Sequence, residues 1–169
     1  MPKIAIIGAG SGIFSINLIK DICVNKRFNG SVVSLMDINE ERLNGIYGLC
    51  RRYIEELGAD MQLEKTTDRI HALQNADFVI HVALDYSHER LRSGWEIAKK
   101  HGYRFGGSLH IMHDEAFWVN FHQLLLMESV YLDIQKTCPN VWMLLVANPV
   151  QAGITYLSRK YPGAKNVGM

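Results

Sequence analysis

The sequence has few cysteines and no excess of charge of one sign. Its three cysteines, Cys23, Cys50 and Cys138, lie far apart in 169 residues and form no Cys-x-x-Cys pair. This argues against a zinc site or a disulfide framework and favours a reducing, cytoplasmic compartment. The 18 basic and 17 acidic residues give a formal net charge of +1. Because nucleic-acid binding needs a basic excess or stripe, we expect no nucleic-acid partner.

Long apolar runs are also missing. No segment approaches the ~18 consecutive apolar residues of a membrane span, so we expect no membrane association. The first residues lead directly into a strand pattern, and we therefore expect no targeting segment before them. Hydrophobic residues make up 48% of the chain, which is enough for one full core. We expect a single domain over 1–169.

Short apolar segments alternate with amphipathic ones along the whole chain. The pattern predicts strands over 3–7, 31–36, 61–65, 77–84, 141–147 and 164–169. It predicts helices over 13–24, 39–57, 68–74, 89–100, 114–137 and 151–161. Asn39 is a plausible cap for the second helix and Gly58 its stop. The alternation indicates an α/β fold, a doubly wound parallel sheet with helices on both faces.

A glycine-rich turn joins the first strand to the first helix. Gly8 permits a tight turn, and Gly10 lets the backbone approach a pyrophosphate closely, while the helix start offers free N–H groups. The usual third glycine would fall at Ile13, and here Gly12 comes one position early. The candidate residues for a dinucleotide in this turn are Gly8, Gly10, Ser11, Gly12, Ile13 and Phe14.

Asp37 ends the second predicted strand, where a carboxylate accepts hydrogen bonds from both ribose hydroxyls of a dinucleotide. A carboxylate there would repel a 2′-phosphate, so the sequence favours NAD over NADP. The alternative is that Asp37 only caps the helix that begins at Asn39. Ala83 and Asn148 follow the fourth and fifth strands, at the edge where ligands of parallel sheets bind. The alternative for Asn148 is a turn-forming residue before proline.

Several short motifs, taken in order, resemble glycoside hydrolase family four. They are Gly8-Ala9-Gly10-Ser11, Leu35-Met36-Asp37-Ile38, Glu41-Arg42-Leu43, Ala76-Asp77-Phe78-Val79-Ile80 and Ala147-Asn148-Pro149. The resemblance covers the whole chain and implies an NAD-binding Rossmann domain, related in fold to lactate and malate dehydrogenases. It also places Asn148 beside the nicotinamide ribose and the substrate.

The resemblance implies an α-glycosidase, acting on an α-glucoside or α-uronide, that uses NAD and Mn²⁺ or another divalent metal. In that family NAD oxidises the sugar's 3-hydroxyl, a base removes the proton at carbon two, and the aglycone leaves by elimination. The family's metal-binding cysteine is expected just after Met169, so we expect no metal ligand in this chain and a domain truncated before its metal- and substrate-binding part. The fragment alone is then expected to be inactive. Two alternatives remain: a dehydrogenase of the lactate/malate type and a non-catalytic NAD-binding module.

The segment from Arg104 to Asp114 is rich in glycine and histidine. Its candidate substrate-facing residues are Arg104, Ser108, His110, His113 and Asp114. A cationic side chain there would suit a uronate carboxylate, and the alternative is a loop closed by its own hydrogen bonds, with Asp114 capping the next helix.

Aromatic and aliphatic residues at 117–127 indicate a packed helix face or an oligomer face, because helical spacing of apolar residues usually marks buried surface. The family resemblance also implies a homo-oligomer, a dimer or tetramer. Trp142 is expected in a buried strand.

Overall fold

The computed structural model describes residues 1–85, 88–104 and 117–169 of the chain. The strands are β1 (Lys3–Ile7), β2 (Ser31–Met36), β3 (Met61–Thr66), β4 (Phe78–His81), β5 (Trp142–Leu145) and β6 (Asn166–Gly168). The helices are α1 (Gly12–Val24), α2 (Glu40–Leu57), α3 (Arg69–Leu73), α4 (His88–Lys100), α5 (Phe117–Thr137) and α6 (Val150–Lys160). A turn of 3-10 helix covers Lys26–Phe28.

All six strands join one parallel sheet in the order β3-β2-β1-β4-β5-β6. This confirms the predicted doubly wound α/β fold. The chain builds outward from β1 in one direction and then, from β4, in the other. Ligands of open parallel sheets bind beyond the carboxyl ends of the strands where the order reverses. By this rule the ligand crevice is expected beside the loops that follow β1 and β4.

The core consists of two layers, one on each face of the sheet. Successive strand residues point to opposite faces, and Ala5 and Ile6 of β1 accordingly belong to different layers. The first layer packs the sheet against α1 and α2; its fully buried members include Ile6, Ile19, Leu35 and Leu43. The second packs it against α3, α5 and α6; its fully buried members include Val79, Met127, Met143 and Leu157.

The ends of α2 agree with the sequence prediction. The side chain of Asn39 accepts a hydrogen bond from the backbone N–H of Arg42 at 3.0 Å, which satisfies a donor of the first turn. Gly58 closes the helix with φ of +58°, a conformation that glycine adopts at little cost. Among the described residues, each helix is too short or too polar to span a bilayer.

Three predicted strands are shorter in the structure, and the last of them, predicted over 164–169, covers only Asn166–Gly168. The predicted strand 77–84 ends at His81, and the predicted strand 141–147 ends at Leu145. Beyond these points the N–H groups of Val146 and Ala147 both donate to the carbonyl of His81, at 3.0 and 3.1 Å. Two donors on one acceptor end the regular ladder, so both strands open into loops. Trp142 lies in a strand as predicted, but its side chain is not buried, because it begins β5 at the amino-terminal edge of the sheet and is 47% exposed.

Candidate functional site

The glycine turn after β1 folds tightly against the end of β2. The N–H groups of Gly8 and Ala9 both donate to the carbonyl of Met36 at 2.9 Å, and the N–H of Ser11 donates to the carbonyl of Gly8 at 3.0 Å. Gly8 has φ of +93°, a region that glycine occupies without strain. Helix α1 begins immediately afterwards, at Gly12. The turn therefore delivers the chain directly from a buried strand into a helix start.

The backbone of Gly8 also touches the loop that follows β4. A Cβ atom added to Gly8 would lie 2.5 Å from both the Cα and the backbone nitrogen of Ala83. No larger residue fits at this position without moving one of the two loops. The loops after β1 and β4 thus meet backbone to backbone at the point where the strand order reverses.

The carboxylate of Asp37 lies over the glycine turn. Its Oδ2 accepts a hydrogen bond from the N–H of Gly10 at 2.7 Å, and its Oδ1 accepts one from the N–H of Asn39 at 2.8 Å. A Cβ at Gly10 would lie 2.6 Å from that Oδ2. The glycine at position 10 is therefore what lets the carboxylate approach. Asn39 caps α2 with its own side chain. The alternative that Asp37 only caps this helix therefore does not explain its contact with Gly10.

The peptide unit between Ala9 and Gly10 is held from both sides. Its carbonyl accepts a hydrogen bond from the hydroxyl of Ser15 at 2.7 Å, while its N–H donates to Asp37. Ser15 is fully buried in the first turn and a half of α1. Sequence reasoning missed this serine, although its place one helical turn after Ser11 was a usable signal. The two bonds fix the orientation of the turn.

The start of α1 presents the remaining candidate residues of the turn. Ser11 precedes the helix and its side chain makes no capping hydrogen bond. The first N–H groups of a helix have no intrahelical carbonyl, so those at Gly12, Ile13 and Phe14 face the crevice end of the helix as donors. Gly12 allows α1 to pack closely on α2, since a Cβ there would meet Ile46 at 3.3 Å. Ile13 is 78% exposed.

The loop after β4 is held by a residue that the sequence did not single out. Gln123 of α5 is fully buried. Its amide nitrogen donates to the carbonyl of Ala83 at 2.9 Å, and its amide oxygen accepts from the N–H of Asp85 at 2.8 Å. Asn148, after β5, is partly buried and precedes a cis peptide bond to Pro149. Ala83 and Asn148 thus lie on neighbouring loops at one edge of the sheet.

Most of the predicted substrate segment lies outside the described residues. These are Ser108, His110, His113 and Asp114. Arg104, the last described residue before them, is exposed to solvent. Within 1–85, 88–104 and 117–169, no group of three or more His, Cys, Asp or Glu side chains is arranged to hold a metal ion.

His81 is the one fully buried histidine among the described residues. It ends β4, directly below the crevice, and neither ring nitrogen has a hydrogen-bond partner among the described residues. Burial, with a smaller contribution from the charge of Arg69, lowers the pKa of His81 to about 4. The imidazole is therefore neutral near pH 7 and adds no charge beneath the site.

The model of family 4 glycosyl hydrolases matches residues 3–169. This chain belongs to that family. The resemblance stated from the sequence motifs is thereby confirmed. An alpha-galactosidase of Bacillus subtilis (strain 168) is 27% identical over 178 aligned positions, covering 100% of the family 4 chain and 39% of the relative.

Solved structures share the fold of the family 4 chain. A 6-phospho-alpha-glucosidase from gut microorganisms, solved in complex with NAD and Mn²⁺, has a TM-score of 0.85 at 21% identity, covering 99% of the chain and 38% of that protein. The lactate dehydrogenase of Eimeria maxima, with NADH and oxamate, has a TM-score of 0.67 at 19% identity, over 99% of the chain and 43% of that protein. The chain therefore spans about two fifths of the length of the proteins that it matches.

Proposed function

We propose that residues 1–169 form the NAD-binding domain of an α-glycosidase that acts by redox elimination on an α-glucoside or α-uronide. One observation carries the proposal: the carboxylate of Asp37 lies 2.7 Å from the N–H of Gly10, directly over the glycine turn. A carboxylate in this position accepts hydrogen bonds from ribose hydroxyls, while the turn beside it admits a pyrophosphate. Family membership and the NAD complex of the solved relative support the same conclusion.

The described residues fit the dinucleotide. Gly8 and Gly10 let Ala83 and the carboxylate of Asp37 lie directly against the turn, Gly12 lets α1 pack on α2, and the start of α1 supplies N–H donors and a partial positive charge for the phosphates. Ser11, Ile13 and Phe14 border the same helix end, whereas Ala83 and Asn148 lie where the nicotinamide half would extend. The roles of these residues follow from their place around the crevice. When bound, NAD supplies the acceptor for the hydride that leaves carbon three of the sugar when the 3-hydroxyl is oxidised to a ketone.

The charge of Asp37 also chooses between the two nicotinamide cofactors. A 2′-phosphate on the adenosine ribose would stand against a carboxylate that two backbone N–H groups already hold in place. Repulsion between the 2′-phosphate and the carboxylate of Asp37 would disfavour NADP, so NAD is the preferred cofactor.

The described residues contain no cluster of His, Cys, Asp or Glu side chains that could bind the divalent metal of the family. The family 4 match favours the glycosidase over the lactate/malate dehydrogenase alternative, with which the chain shares the fold.

A homo-oligomer, a dimer or tetramer, and a cytoplasmic location complete the proposal. Phe121, Leu125 and Leu132 of α5 are 60%, 45% and 39% exposed, and apolar residues on one helix face suit contact with a second copy. All three cysteines are free thiols, as is usual for proteins of reducing compartments.

Calorimetric titration of the 169-residue chain with NAD and with NADP tests the cofactor site. Asp37→Asn is expected to weaken NAD binding roughly 10- to 100-fold, since hydrogen bonds to a charged group contribute about 1.5–3 kcal/mol. The preference for NAD over NADP should shrink as well. Asp77→Asn is the matched control, because Asp77 accepts a similar bond from the N–H of Lys3 at 2.8 Å, on the opposite edge of the sheet. Equal affinity in wild type and Asp37→Asn would refute the site.

The reaction is tested on the intact protein with nitrophenyl α-glucosides and α-glucuronides. Release of nitrophenol should require both NAD and a divalent metal. Hydrolysis that survives removal of both would exclude redox elimination.

A further inference from the structure

Gln123 is a polar side chain at a position where packing alone would favour an apolar one. It lies on α5, whose buried side contains Met127, Val130 and Ile134. Burying an amide costs free energy unless both of its ends are paired. Both ends of Gln123 are paired, and both partners belong to the backbone of the loop after β4.

The loop needs this side chain because it has left the sheet. β4 ends at His81, so Ala83 and Asp85 lie beyond its ladder. The amide of Gln123 provides a donor to the carbonyl of Ala83 and an acceptor for the N–H of Asp85. It therefore hydrogen-bonds the backbone of residues 83–85 as a neighbouring strand would within the sheet.

The same loop forms one wall of the crevice. Ala83 touches Gly8 so closely that a Cβ on the glycine would lie 2.5 Å from its backbone. A shift of residues 83–85 would thus either open a gap beside the glycine turn or press into it. A displacement of about 1 Å in a binding site is enough to cost a large factor in its function.

We propose that Gln123 is a positioning residue for the dinucleotide. It reaches across from α5, holds residues 83–85 against the glycine turn, and so sets the width of the crevice. This inference rests on the proposed NAD site, and it adds a residue that lies outside the glycine turn and the strand ends.

Gln123→Met tests the proposal in the 169-residue chain, because methionine keeps the length and volume of the side chain but removes the amide. The Kd for NAD is expected to rise about tenfold, the loss of one to two neutral hydrogen bonds. Ile134→Val is the matched control: Ile134 is buried on the same helix and packs away from the loop. It should lower the unfolding midpoint and leave the Kd for NAD unchanged.

A second variant and a second measurement guard against a folding failure. Gln123→Asn keeps both the donor and the acceptor and adds no charge, but it is one methylene shorter, so its Kd for NAD should fall between those of wild type and Gln123→Met. In the wild-type chain, saturation with NAD should slow hydrogen exchange of the Asp85 amide.

The possible outcomes distinguish a failure of the role proposed for Gln123 from a failure of the NAD site itself. If wild type binds NAD and a folded Gln123 variant binds it equally well, or if the Asp85 amide exchanges at an unchanged rate, the role of Gln123 is overturned while the NAD site stands. If wild type does not bind NAD, both are overturned.

Discussion

Gly10→Ala is expected to destabilise the protein mainly through Asp37. The new Cβ would lie 2.6 Å from Oδ2 and 2.8 Å from Cγ of that carboxylate, well inside the 3.5–4.0 Å of a favourable contact. The carboxylate must therefore swing away and lose the N–H of Gly10. The backbone itself tolerates alanine, because Gly10 does not have the positive φ that Gly8 has.

The expected cost follows from two opposing contributions. A hydrogen bond to a charged group contributes about 1.5–3 kcal/mol, and the lower half applies here because Asp37 is partly exposed. Replacing glycine by alanine where the backbone allows it stabilises by about 0.4–1 kcal/mol through the unfolded state. Gly10→Ala should therefore lower the free energy of unfolding by about 1 kcal/mol in an Asp37 background.

The effect should reverse when the carboxylate is absent. In Asp37→Ala no clash remains with residue 37, and the neighbouring Cβ of Arg42, 3.2 Å away, needs only a small adjustment. Gly10→Ala is then expected to be neutral or stabilising by up to about 1 kcal/mol. Urea unfolding of wild type, both single variants and the double variant gives the coupling energy, expected at about 1–2 kcal/mol. An equal cost of Gly10→Ala in both backgrounds would refute the argument.

Two further predictions concern stability at acid pH. The pKa of His81 is lowered to about 4, below its usual ~6.5 in an unfolded chain; the unfolded state therefore binds the proton first, and stability should fall as the pH drops from 6.5 to 4, a loss that His81→Leu removes. Hydrogen bonds from Lys160, then Tyr156 and Tyr161, lower the pKa of Glu128 to about 2. Its contribution should be complete above about pH 4.5 and disappear toward pH 2, and Glu128→Gln should abolish that pH dependence.

Urea midpoints recorded between pH 2.5 and 7.5 separate the two groups, because their windows hardly overlap. His81→Leu should flatten the upper part of the profile only, and Glu128→Gln the lower part only. A wild-type profile that stays flat from pH 6.5 to 4 would contradict the buried neutral histidine.

The architecture and the first half of the candidate site were predictable because they depend on local pattern. The apolar run of β1, the glycine turn, and Asp37 at the end of β2 follow one another within a single strand–helix–strand unit, and hydrophobic period and turn chemistry identify each part. The cap at Asn39 and the stop at Gly58 are equally local signals.

The second half of the site depends on contacts between distant parts of the chain. Gln123 escaped notice because the apolar residues at 117–127, predicted to form one packed face, belong to a helix with apolar residues on all sides, so they did not mark its buried side. The ends of β4 and β5 were misplaced because they are set by one shared acceptor, the carbonyl of His81, and by a side chain from another helix. Sequence spacing contains neither fact.

The two-sided grip on the Ala9–Gly10 peptide affects what a ligand must give up on arrival. Ser15 and Asp37 already hold the turn in one orientation, and the second oxygen of the carboxylate is tied to Asn39. Binding of a ligand there would therefore cost little conformational entropy of the turn, and most of the favourable interaction energy would contribute to affinity. The turn is therefore preorganised for the proposed dinucleotide, and the cost of ordering it was met when the chain folded.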